Sequence, residues 1–119
     1  MRHRVSIKAL GRPSDERKAL MKSLVRELFL HGTIVTTTQK AKAAAPFAER
    51  LITHAIAKDV SARRYVNTFL NDEKLTNKVV DEIAPKYSNR KGGYTRIIKM
   101  QKRHGDDAEL AIFQLVKEE

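Results

Sequence analysis

A chain of 119 residues, 41% of them apolar, has room for a single domain with a modest core. Its 24 Lys and Arg against 14 Asp and Glu give a net charge of +10, which destabilises a compact state unless a polyanion offsets it, and nucleic acid is the favoured polyanion. The lack of cysteine excludes disulfides, thiolate metal sites and thiol catalysis, and no apolar run approaches a membrane span or a signal-peptide core, so we expect a soluble protein.

The first thirteen residues have no helical period and too few apolar side chains to anchor themselves. Residues 1–13 are therefore predicted to form an extended basic arm that is mobile unless a partner orders it, and residues 14–119 a single globular domain. The cations of the arm are either RNA contacts or part of a solvated tail, and counter-ion release favours RNA contact. The candidates are Arg2, His3, Arg4, Lys8 and Arg12.

A first helix is predicted to follow. Ser14 is a good N-cap, leucines recur at four-residue spacing, and Gly32 is expected to end the helix in the left-handed region. A cationic line beside the apolar stripe is either a solvated face or an RNA contact, and the basic surroundings favour contact. It consists of Lys18, Lys22 and Arg26.

Thr33–Thr38 is a run of six β-branched residues and predicts a short strand, after which Thr37 or Thr38 caps a second helix. Pro46 is expected to kink that helix or to mark a restart. Lys40 and Lys42, just after the strand, are further candidate RNA contacts.

Two shorter helices are predicted next, the first capped by Asp59 or Ser61 and the second opened at residues 71–73. The remaining chain predicts strands at Tyr94–Lys102 and Glu109–Val116. The last strand is apolar on both faces, which is typical of a central strand. The predicted fold is thus α+β, in the order helix, strand, three helices, two strands.

The segment around two adjacent glycines is the most informative stretch. Between Lys86 and His104 there are seven Lys or Arg and no carboxylate. Glycines allow a positive φ and a close approach of the backbone, and flanking cations with a tyrosine ring suit a sugar-phosphate surface with unpaired bases. The alternative is an ordinary glycine turn with the tyrosine in the core. The candidates are Arg90, Lys91, Gly92, Gly93, Tyr94 and Arg96.

Catalytic and metal-binding patterns are missing from the sequence. The four histidines are isolated, with no His-x-x-x-His spacing, and there is no phosphate-binding glycine loop or nucleophile elbow. We therefore expect no catalytic residue, metal or cofactor. A nuclease-like or RNA-modifying enzyme would have to be built around His104 with Asp106 or Asp107.

Several motifs, in order along nearly the whole chain, closely resemble the L-seventeen family of bacterial-type large-subunit ribosomal proteins. They are Met1-Arg2-His3-Arg4, His31-Gly32 with Ile34-Val35-Thr36-Thr37, Ile83-Ala84-Pro85-Lys86-Tyr87 and Gly92-Gly93-Tyr94-Thr95-Arg96-Ile97. The resemblance implies a two-layer domain with helices over a small mixed three-stranded sheet and a basic N-terminal arm. It also implies a structural protein without catalysis, bound to large-subunit rRNA near the polypeptide exit tunnel.

Residues and resemblance together predict a structural constituent of the large ribosomal subunit that binds and stabilises rRNA in support of translation. The expected partners are large-subunit rRNA and neighbouring ribosomal proteins, with one copy per ribosome and neither a membrane nor a small-molecule substrate. The expected location is the cytoplasmic ribosome, or the ribosome of a plastid or other organelle. The alternative is a free-standing RNA- or DNA-binding regulator, which would need a dimer or a recognition helix to select sequences.

Overall fold

Four helices and three strands follow one another in the predicted order. The computed structural model describes residues 14–102, 104–105 and 107–117, so the predicted arm lies outside the described residues. A π-helical turn, Val79–Ile83, and a 3₁₀ turn, Ala84–Tyr87, continue from α4. The elements are α1 Ser14–His31, β1 Thr33–Thr37, α2 Thr38–Ala55, α3 Val60–Leu70, α4 Glu73–Lys78, β2 Thr95–Lys102 and β3 Glu109–Leu115.

The helix ends follow local capping chemistry. Gly32 has a φ of 79°, and its N–H donates to the Leu28 carbonyl at 2.6 Å, which ends α1 as predicted. The Thr37 hydroxyl accepts from the Lys40 N–H at 3.3 Å at the start of α2. Asp59 and Asp72 cap α3 and α4 in the same way, so each predicted side-chain cap of these three helices is confirmed.

Helix α2 runs through Pro46 without a restart, so that part of the prediction is wrong. Proline removes the N–H that would bond to the carbonyl four residues earlier, at Lys42. The exposed Pro46 lies between Ala44 and Ala48, which are both completely buried. Packing of this alanine face offsets the lost hydrogen bond and keeps the helix continuous.

The α+β class is confirmed, while the predicted mixed sheet is corrected to an antiparallel one. The strand order is β1-β3-β2, and both pairings with β3 are antiparallel. Strands β1 and β2 point the same way, but β3 lies between them, so no parallel pair forms. The central position of β3 agrees with its apolar sequence on both faces.

The two faces of the sheet differ sharply. Ile34 and Ile97 lie opposite the completely buried Phe113 in a row that packs on the core, where α1 and α2 contact the sheet. The next row, which we call the outer row, consists of Val35, Ile112 and Ile98. Val35 is 58% exposed and Ile98 40% exposed, so this row is an open apolar surface.

The core lies between the inner face of the sheet and the helices. Its largest completely buried side chains are Phe29, Phe113, Leu28, Ile52 and Leu70. Within residues 14–117, leaving aside positions 103 and 106, none of the helices has the length and hydrophobicity that a membrane span requires.

Candidate nucleic-acid interface

The loop between the 3₁₀ turn and β2, residues 88–93, is called the glycine loop below. The Arg90 N–H donates to the Tyr87 carbonyl at 2.9 Å, and the chain then passes through Gly92 at φ 123° and Gly93 at φ 65°. A Cβ at Gly93 would come no closer than 4.0 Å to a guanidinium nitrogen of Arg90, and one at Gly92 would meet nothing within 4 Å. Backbone conformation, rather than lack of space, therefore requires glycine here.

Two tyrosines fix the base of the glycine loop. The rings of Tyr87 and Tyr94 meet edge to face with centroids 5.4 Å apart. The Tyr87 hydroxyl donates to the carbonyl of Val116, whose own N–H donates to the Tyr94 carbonyl at 2.9 Å. These contacts hold both ends of the loop against the core.

Tyr94 belongs to the core and not to the predicted stacking surface. Only 3% of it is exposed, and its hydroxyl lies 3.5 Å from the Thr53 hydroxyl and 3.4 Å from the Arg90 carbonyl. A base cannot stack on a ring that the core already covers on its faces. The interpretation of this residue as an RNA platform is therefore corrected, and its role is to hold the loop.

Glu49 of α2 positions the start of β2. Its carboxylate accepts from both the backbone N–H of Thr95, at 3.2 Å, and the Thr95 hydroxyl, at 2.8 Å. Because only Tyr94 separates the glycine loop from Thr95, this contact helps to set where the loop leaves the helical layer. Nothing local to Glu49 in the sequence indicates a partner 46 positions away.

The cations of the loop and of β2 lie on the surface. Arg90, Lys91 and Arg96 are all exposed. Arg96 lies opposite Gln114 of the central strand, two positions along β2 from Ile98 and therefore on the same face of the sheet as the outer row. These side chains therefore surround the two glycines with positive charge on a rigid base.

The predicted cations of α1 divide into two kinds. Lys18 is exposed and Lys22 half-buried. Arg26 instead forms an ion pair with the α4 cap Asp72, at 3.2 Å, and ties the two helices together. Part of its charge is thus already balanced inside the protein.

The candidates at the start of α2 are two more lysines, of which Lys40 is half-buried and Lys42 exposed. The five arm candidates, Arg2, His3, Arg4, Lys8 and Arg12, lie outside the described residues. The remaining candidates thus occupy three elements: the glycine loop with β2, α1, and the first turn of α2.

Arg63 holds a structural position between α3 and the segment that follows it. Its guanidinium donates to the Asn77 side-chain oxygen and to Asp81, each at 2.8 Å. The hydrogen bond from Arg63 keeps the pKa of Asp81 below its ordinary value of 3.8, and the charges of Arg63 and Lys58 act in the same direction against a desolvation cost.

Two of the described histidines, His31 and His54, take part in side-chain contacts. His31 lies 3.3 Å from Glu27, one turn earlier in α1, and the ring of His54 stacks on Tyr65 at 3.8 Å. Among residues 14–102, 104–105 and 107–117, no group of three or more His, Cys, Asp or Glu side chains is arranged to hold a metal ion.

The fold and this surface define a small antiparallel α+β domain with a cation-rich glycine loop. Residues 20–116 match the family model described as ribosomal protein L17. The chain belongs to this family of ribosomal proteins.

Relatives that align with this chain over nearly their whole length are about 50% identical to it. The large ribosomal subunit protein bL17 of Kosmotoga olearia is 49% identical over 98% of this chain and 94% of its own. Proteins of the same name from Dictyoglomus thermophilum and Clostridium acetobutylicum are 49% and 50% identical. The first aligns over 98% of this chain and 100% of its own, the second over 90% and 94%.

Proposed function

We propose that this protein is a non-catalytic structural constituent of the large ribosomal subunit that binds and stabilises rRNA near the polypeptide exit tunnel. Family membership supports the ribosomal role and a location at the ribosome. The observation that carries RNA binding is the glycine loop, where exposed cations surround a backbone at positive φ with no carboxylate between Lys86 and His104.

The chemistry favours contacts to phosphates and shape over contacts to base edges. Lys and Arg neutralise phosphates and release counter-ions, while the deep major groove of A-form RNA is closed to side chains. Arg90, Lys91 and Arg96 with the backbone of the half-buried Gly92 and the exposed Gly93 form the centre of the interface. Lys18, Lys22, Lys40, Lys42 and the arm extend it, and Arg26 contributes chiefly through its bond to α4.

The binding test is a salt titration of the full-length protein on a large-subunit rRNA transcript. The logarithm of the binding constant should fall linearly with the logarithm of salt concentration, by about 0.7 to 0.9 per phosphate contact. Lys91→Gln should lower both affinity and slope, whereas Lys74→Gln, an exposed lysine of α4, should leave both near the wild-type values. A flat salt dependence would contradict the proposal.

Sedimentation separates the ribosomal role from a free-standing regulator. Tagged protein in a cell lysate should travel with large subunits at moderate salt, and a density map of those subunits should locate it beside the tunnel exit. Recovery of the protein mainly in the light fractions would favour the regulator instead. Purified wild-type protein that cleaves or modifies RNA, with the activity lost on His104→Ala, would overturn the non-catalytic role.

A further inference from the structure

Helices α2 and α3 are joined by two pairs of stacked rings. The Phe47 and Phe69 centroids are 5.8 Å apart with the planes 26° from parallel, and those of His54 and Tyr65 are 3.8 Å apart at 19°. From the first pair to the second, the residue number rises from 47 to 54 on α2 and falls from 69 to 65 on α3, so the two helices are antiparallel. Seven residues separate the pairs on α2, about 10 Å along the helix axis.

An open cleft of about 490 Å³ lies along this helix pair. We call it the aromatic cleft. Its volume falls within the range of small-ligand sites, about 300 to 1,000 Å³. Leu51 is part of its lining, together with the Phe47–Phe69 pair and Tyr65. Tyr65 is 39% exposed, so part of its ring is open to solvent.

Two cationic side chains lie beside the aromatic rings. Lys18 of α1 and Arg50 of α2 both line the aromatic cleft, and none of the acidic side chains that the structure describes does. The guanidinium of Arg50 lies 5.5 Å from the centroid of the Phe47 ring, a cation–π distance. The cleft therefore combines π-faces with cations on separate elements.

We propose that the aromatic cleft holds an unpaired nucleobase of the bound RNA, stacked at Tyr65, with its phosphates beside Lys18 and Arg50. This inference rests on the proposed RNA-binding function and names a second contact of that surface. Proteins take up splayed-out bases of RNA loops on aromatic rings and guanidinium planes, and cations beside the rings follow the backbone.

Charge distinguishes this occupant from the alternatives. The chain's own residues 1–13 carry Arg2, Arg4, Lys8 and Arg12 and no carboxylate, so Lys18 and Arg50 would repel them. An apolar protein segment has no group to balance the two cations. A single-stranded stretch of RNA supplies both the ring and the negative charge.

The test uses a short single-stranded RNA carrying 2-aminopurine, whose fluorescence is quenched when the base stacks. The chain has no tryptophan, so its own emission does not interfere. Wild-type protein should quench the probe on binding. Tyr65→Leu should weaken binding about fivefold or more and reduce the quenching, whereas Tyr65→Phe should retain both, since stacking contributes through the ring.

A second variant keeps the test decisive if Tyr65→Leu misfolds. Arg50→Gln should weaken binding of the probe while Lys74→Gln does not, with circular dichroism showing both folded. Ultraviolet cross-linking within large subunits should attach a nucleotide to the peptide that contains Tyr65. A cross-link from this peptide to protein instead would assign the aromatic cleft to a protein neighbour and overturn the inference.

The two proposals fail separately. If wild-type protein binds rRNA with the expected salt slope but the probe responds equally with Tyr65→Leu and Arg50→Gln, the aromatic cleft does not hold a base and the proposed function stands. If wild-type protein does not bind rRNA at all, the proposed function itself fails.

Discussion

At the scale of single residues, Gly93 illustrates how the backbone shapes the interface. At φ 65° the backbone of a residue that carries a Cβ is strained, although the space around this position is open. Gly93→Ala should therefore lower the free energy of unfolding by about 1 kcal/mol, and Gly93→Asn by less, because asparagine tolerates the left-handed region. Urea denaturation measures both. Ser88→Ala, in the same loop at φ −58°, is the control and should change little.

The ion pair of Asp81 with Arg63 should make the stability of the fold depend slightly on pH. Because Arg63 lowers the pKa of its carboxyl below 3.8, the stabilisation is present above that value and is lost as the pH falls through the folded-state pKa. The melting temperature of wild type should exceed that of Asp81→Asn at neutral pH. This difference should shrink below about pH 4. A difference that grows on acidification would contradict the assignment.

At the scale of elements, one carboxylate connects the helical layer to the sheet. Replacing Glu49 with alanine leaves the Thr95 N–H and hydroxyl without their acceptor, and should cost about 1 to 3 kcal/mol of unfolding free energy. Glu49→Gln keeps an accepting oxygen and should cost less. Glu82→Ala, at an exposed glutamate of the π-helical turn, is the matched control. Equal effects at the two glutamates would refute the role of this contact.

The outer row of the sheet should tolerate polar substitution. Val35→Thr combined with Ile98→Thr should change the free energy of unfolding by less than about 0.5 kcal/mol per site, because these side chains are already exposed. Ile97→Thr, in the row that packs on the core, should cost more than about 1 kcal/mol. Denaturant titration compares them, and a large loss from the outer pair would mean that this row is covered.

Local signals made the element order and the helix caps predictable. Asp59, Asp72 and Gly32 act within four residues of themselves, so the sequence indicated them directly. The contacts of Arg26 with Asp72 and of Glu49 with Thr95 each link positions 46 apart, and no local pattern encodes them or the register of the strand pairs.

The candidate site, like the fold, was only partly predictable from the sequence. Runs of cations around the paired glycines are visible in the sequence, but the fate of an aromatic ring depends on packing. Tyr94 is buried in the core, while Tyr65 is 39% exposed. Only the elements packed around each ring determine whether it is covered, and the local sequence does not indicate them.

At the scale of the whole molecule, the charge of +10 should make stability depend on salt. Raising potassium chloride from about 20 to 300 mM screens the mutual repulsion of the cations and should raise the melting temperature. The triple variant Lys91→Gln, Lys99→Gln, Lys102→Gln should show a smaller rise. A melting temperature that falls with salt would mean that attractive pairs outweigh the repulsion.

The break in register along β2 protects the molecule before it reaches its partners. From Lys99 to Lys102 the strand advances three positions while β3 moves only two, from Ala111 to Glu109, so one extra residue bends this edge of the sheet. Newly made copies with an open apolar sheet face are at risk of joining edge to edge into fibres. A bent, lysine-bearing border is a poorer template for an arriving strand than a straight ladder, which disfavours such growth along β2.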